Sequence, residues 1–141
     1  MTPHPGKLTE AVAERLATVT ADGSQVEVHI VDVAAGADGL YYVVTPSPGG
    51  MLDGPLAHPN DDGDLVTLVT SSAPLQPGSH SALQCLYLQN EARLALLEGL
   101  AVDGHTVMRV RLDVPGGVSI DRDPDPHRFF AVDRFVTSLT L

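Results

Sequence analysis

Apolar residues near the start of the chain recur at helical spacing. Leu8, Val12, Leu16 and Val19 follow at intervals of four, four and three, which predicts one apolar stripe on a helix over residues 7–20. Glu10, Glu14 and Arg15 fall away from the stripe; Pro5 and Gly6 precede it and Asp22–Gly23 ends it. The period then drops to two. Val26, Val28 and Ile30 alternate with Glu27, His29 and Val31, predicting a half-buried strand over 25–33. After a turn at 34–39, residues 40–45 (LYYVVT) form a continuous apolar run, the pattern of a central strand covered on both faces. Residues 47–63 are rich in Pro, Gly and Asp and read as a long loop. Residues 64–70 return as a strand through Leu65, Val66, Leu68 and Val69.

A second loop over 71–78 leads into a helix over 80–98. Leu83, Tyr87, Leu94 and Leu97 share roughly one face of it, and Gly99 supplies a C-cap. Two final strands follow a turn at 102–104. In 106–112, Val107, Arg109 and Arg111 alternate with Met108, Val110 and Leu112. In 128–141, Phe130, Val132, Arg134 and Val136 alternate with Phe129, Ala131, Asp133 and Phe135. A loop over 114–126 joins them. The order is helix, three strands, helix, two strands. It predicts a single α+β domain over 1–141: a mixed or antiparallel sheet, two main helices packed on it and a C-terminal β-hairpin.

Composition narrows the function. The 141 residues suit one domain, and 43% hydrophobic residues suit a packed core. Eighteen acidic against eight basic residues give a net charge of −10, which repels a phosphate backbone and argues against sequence-reading nucleic-acid binding. Cys85 is the single cysteine, so no intramolecular disulfide forms; among Leu83, Leu86 and Leu88 it reads as a buried, inert thiol. The opening MTPHPGKLTEAV has no apolar segment of the signal-peptide kind. No apolar run approaches the ~18 residues that span a bilayer, so no membrane partner is expected.

Candidate chemistry is sparse. None of the six histidines pairs at i, i+3 or i, i+4 on a helix, so the zinc-protease pattern is missing. Asp121, Asp123 and Asp125 imitate the opening of a calcium loop, but its sixth position is Pro126 and its twelfth Val132, where Gly and Glu are required. Gly49–Gly50 and Gly116–Gly117 belong to no phosphate-loop motif, and no nucleophile elbow occurs. No metal, no cofactor and no catalytic residue are therefore expected. Arg109, Arg111, Arg128 and Arg134 are expected to line one surface of the last hairpin, an arrangement suited to contacts between subunits.

Three blocks resemble the tail terminator (tail completion) proteins of long-tailed bacteriophages infecting actinobacteria. They are LYYVVTPSPGGMLDGPLAHPNDDGDLVTLVTS (40–71), QNEARLALLEGL (89–100) and VMRVRLDVPGGVSIDRDPDPHRFFAVDRFVTSLT (107–140). The chain departs from that family in having no Trp. The resemblance implies a structural virion protein, assembled in the host cytoplasm, that forms a homo-oligomeric, typically hexameric ring at the head-proximal end of the tail. Such a ring caps the tube, halts its polymerisation and meets the head–tail connector protein, while DNA passes through the centre. Interface candidates on this reading are Pro48, Gly49, Gly50 and Asp53 in the first long loop, Asp121, Asp123 and Asp125 in the second, and Arg109, Arg111 and Arg134 on the last strands. A head-closure, connector or tail tube subunit, and less readily a small bacterial ligand-binding domain, are the alternatives.

Overall fold

The computed structural model describes residues 5–21, 23–31, 39–52, 62–75, 81–102, 104, 106–122 and 127–140. Helix α1 (Pro5–Leu16) buries Leu8, Val12 and Leu16 as the apolar spacing requires. It stops earlier than expected. The N–H groups of Thr18 and Val19 reach back only three residues, to the carbonyls of Arg15 and Leu16, and the Thr18 hydroxyl donates to the Arg15 carbonyl at 2.7 Å. This competition from a threonine hydroxyl unwinds the last turn. Val19 is buried all the same, leading into two-residue strands β1 (Thr20–Ala21) and β2 (Ser24–Gln25) that pair across Gly23 at φ 79°.

Among the described residues the main sheet has six strands: β3 (Glu27–Ile30), β4 (Tyr41–Leu52), β5 (Asp62–Pro74), β6 (Thr106–Val114), β7 (Ser119–Asp121) and β8 (Arg128–Thr140). Their order is β3-β4-β5-β8-β6, with β7 also on β8. β3 runs parallel to β4 and every other pairing is antiparallel. Helix α2 (Ser81–Glu98) lies between β5 and β6 in the chain. Both helices pack on one face of this mixed sheet, where Tyr42, Val44, Leu65, Val69, Phe135 and Leu139 meet Leu8, Leu16, Leu88 and Leu96 in one core. The expected α+β class holds.

Several local expectations change. β4 continues to Leu52, so Pro48, Gly49 and Gly50 fall within a strand span rather than a loop; the register shifts between Pro46 and Met51, the kind of irregularity that Pro and Gly mark in strands. The 40–45 run is covered on one face only, because Tyr42 and Val44 are buried while Tyr41 and Val43 are half-buried on the helix-free side. β5 extends to Pro74, taking in Ser71, Ser72 and Ala73 where a loop was expected. The 114–126 segment contains β7. In β6, a bulge between Val107 and Arg109 moves Val107 to the core side with Val110 and Leu112, so it does not share a face with the arginines.

The largest change is in α2. Leu83, Tyr87, Leu94 and Leu97, expected to seat the helix, point to solvent. Its buried side is Ser81, Cys85, Leu88, Gln89, Ala92 and Leu96. Small side chains here let the helix approach the sheet, and Cys85 Sγ donates to the Ser71 carbonyl at 3.4 Å. The fully buried Tyr42 hydroxyl donates to the Leu88 carbonyl at 2.6 Å; burial, with Glu91 adding to it, holds this phenol far above its ordinary pKa. Tyr42→Phe is expected to lower stability by about 1 kcal/mol and Leu88→Ala by about 2–5 kcal/mol. Urea unfolding read by circular dichroism tests both, with the denaturant slope unchanged.

Candidate functional site

Arg109, Arg111 and Arg134 do share the helix-free face. Arg134 Nε stands 3.3 Å from Asp113 Oδ2 and Arg111 Nη1 3.8 Å from Asp113 Oδ1, while Arg109 has no ion-pair partner among the described residues. Arg128 leaves this group. It is only 7% exposed, its Nε donates to Ser72 Oγ at 2.8 Å, its Nη2 donates to the Gly39 carbonyl, and its guanidinium sits 4.1 Å from the Tyr41 ring centroid. Asp121 ends β7 opposite Arg128. Asp53, Asp123 and Asp125 lie outside the described residues, and of Pro48, Gly49 and Gly50 only the strand backbone is described. Among the described residues, the candidates do not converge on one point.

A cluster that the sequence did not single out lies beneath α2. Asp133 occupies the apolar parity of β8, and its side chain is buried on the helix side. Arg93 grips it with two hydrogen bonds, Nε to Oδ2 at 2.7 Å and Nη2 to Oδ1 at 2.9 Å. Gln89 Nε2 and the Gly116 N–H each donate to Oδ1 at 2.9 Å, and Gln89 Nε2 also lies 2.7 Å from the Gly116 carbonyl. A Cβ at residue 116 would run into the Val132 carbonyl, so the close approach of this segment needs glycine. Burial pushes the Asp133 carboxyl upward, but Arg93, Gly116 and Gln89 together outweigh it and hold the pKa below the ordinary carboxylate value. Both carboxylate oxygens accept hydrogen bonds from the protein, which is the chemistry of a structural clamp. The signal in the sequence is an aspartate at a core position of a strand, with Gln89 and Arg93 four apart on a helix.

The clamp turns a different set of side chains outward. Leu83, Leu86, Tyr87, Leu94 and Leu97 are 46–60% exposed along one side of α2. Tyr87 also touches the β1 turn, its hydroxyl 3.2 Å from the Thr20 carbonyl. Beside this helix, Arg15 of α1 donates to the Ala95 carbonyl and pairs with Glu98, each at 2.9 Å; the ion pair is exposed and contributes little.

The helix-free face of the sheet holds a groove of about 430 Å³ lined by Tyr41, Val43, Thr70, Ser72, Asp121, Arg128, Phe130 and Val132. Among the described residues no group of His, Cys, Asp and Glu could hold a metal ion. Cys85 is buried, and that burial pushes its thiol up to about 11. No helix of the described residues is long and apolar enough to cross a membrane.

No family model matches the chain, and no curated protein matches its sequence. A solved structure superposes over 95% of each chain with a TM-score of 0.57 and 18% identity. At that identity the likeness shows the fold alone.

Because the folded-state pKa of Asp133 lies below its unfolded value, its contribution is fully present above the unfolded pKa of about 3.9. It is lost as pH falls through the folded-state value. Asp133→Ala is expected to cost about 3–5 kcal/mol at neutral pH, since Arg93 and the Gly116 N–H lose their partner. In Asp133→Asn the fall in stability between pH 4 and lower values is expected to be shallower than in the unaltered protein (about one carboxylate fewer titrating). Thermal unfolding across acid pH checks this.

Proposed function

We propose that the chain is a structural virion protein, a tail terminator. Copies assemble into a hexameric ring that caps the tail tube, stops its polymerisation and joins it to the head–tail connector at the head-proximal end of the tail. The observation that carries this reading is the outer face of α2. Five large apolar side chains on one side of one helix form a face that a soluble monomer rarely leaves uncovered, and such faces serve protein–protein contact. The β3 and β6 edges, with no further strand beside them among the described residues, add surface for assembly. The resemblance of the three sequence blocks supplies the identity of the assembly. A net charge of −10 suits a ring through which DNA slides without being held.

A second reading, a small ligand-binding domain, is favoured by the groove on the helix-free face. It combines apolar walls with Arg128, Ser72 and Asp121, the composition of a small-molecule site.

The test is the particle mass of the purified protein over a concentration series by light scattering, with negative-stain imaging of the large species. A discrete hexamer with annular images is expected. A monomer at every concentration contradicts the self-assembly reading and favours the ligand-binding one, and open tubes favour a tube subunit.

A further inference from the structure

The main sheet ends in two unlike edges, and their chemistry is complementary. At one end lies β3, a four-residue strand. Val28 packs on the core side, while Glu27 and His29 alternate to the helix-free face; His29 stacks edge-on against Tyr41 at 5.4 Å and lies 3.1 Å from Glu27. The Glu27 side chain is 61% exposed. At the other end lies β6, where two register shifts leave Arg109–Leu112 as the regular stretch between them. Val110 and Leu112 pack on the core side, and Arg109 and Arg111 alternate to the helix-free face. Neither edge has a further strand beside it among the described residues.

Strand directions complete the fit. β3 is parallel to β4, and the antiparallel steps to β5, β8 and β6 bring β6 out opposed to β3. If two copies lie side by side in the same orientation, the β3 edge of one therefore meets the β6 edge of the next antiparallel. The helices of both copies then stay on the same face. In the register that sets Glu27 opposite Arg111, Val28 falls opposite Val110 on the helix side, and Glu27 is diagonal to Arg109 on the other. Opposite charges and β-branched pairs across strands are both favourable.

We propose that the β3 edge of one copy pairs antiparallel with the Arg109–Leu112 edge of the next, held by Glu27 against Arg109 and Arg111. This contact rests on the assembly reading above and gives it a geometry. The same charges reject the alternatives. A β6–β6 contact sets arginine against arginine and a β3–β3 contact sets glutamate against glutamate, so the pairing is head-to-tail, the kind that closes a ring or runs on as a filament. The bulges flanking Arg109–Leu112 limit the contact to the length of β3 and blunt the rest of the edge against indiscriminate pairing.

Charge exchange tests it. Glu27→Arg and the double variant Arg109→Glu/Arg111→Glu each convert cross-strand attraction into repulsion. Each is expected to raise the concentration at which the assembly forms by about tenfold or more, at unchanged circular dichroism. The triple variant with all three reversals restores the attraction, and its midpoint is expected to return to within about threefold of the unaltered protein. Unaltered protein that assembles while the reversed variants assemble equally well overturns the edge contact and leaves the assembly reading standing. Loss in both reversed variants without rescue in the triple variant also overturns it. Unaltered protein that never assembles removes both.

Discussion

One buried carboxylate sets the orientation on which the rest depends. Asp133 lies under α2 and needs donors there, because an unpaired charge in that position costs several kcal/mol. Gln89 and Arg93, four apart on the helix, provide them, and the Gly116 N–H adds a third donor from the segment before β7. Once Gln89 and Arg93 face the sheet, the helical repeat leaves no choice for the others. Cys85, Leu88, Ala92 and Leu96 turn inward, and Leu83, Tyr87, Leu94 and Leu97 turn outward. A polar contact inside the fold thus fixes which apolar residues remain outside it. Substitution of the clamp by apolar residues of similar volume is the physical alternative, and it would leave nothing to choose between the two leucine-bearing sides of this helix.

That orientation separates the molecule into a structural side and a presenting side. The core is built from α1, the inner side of α2 and alternate residues of β4, β5 and β8. Tyr42 ties the centre of α2 to β4, and Arg15 ties the end of α1 to the end of α2. What remains exposed is the leucine side of α2, the two unlike sheet edges and the helix-free groove. These are the surfaces that the proposed assembly uses.

Much of the framework was legible in the sequence. The Leu8, Val12 and Leu16 stripe, the alternation around Ala131 and Phe135, and the order of elements follow from burial acting on period 3.6 and period 2. α2 was misread because leucines occupy both of its sides, and hydrophobicity alone favours the richer one; the deciding residues were the polar Gln89 and Arg93, whose partner is 40 or more positions away. The 46–52 continuation of β4 was misread because Pro and Gly usually break strands, whereas here they accompany a register shift. Val107 was placed on the wrong face because one bulge reverses the alternation that any sequence pattern assumes. Arg128 was read as a surface cation, yet it fills space between Ser72, Gly39 and the Tyr41 ring, contacts drawn from strands far along the chain.

The most direct measurement is sedimentation of the double variant Leu83→Glu/Leu94→Glu beside the unaltered protein, with thermal unfolding of both. An outward, mating face predicts a variant that unfolds at nearly the same temperature but sediments as a monomer where the unaltered protein sediments as a ring. A variant that is unfolded at ambient temperature, or one that assembles as the unaltered protein does, contradicts it.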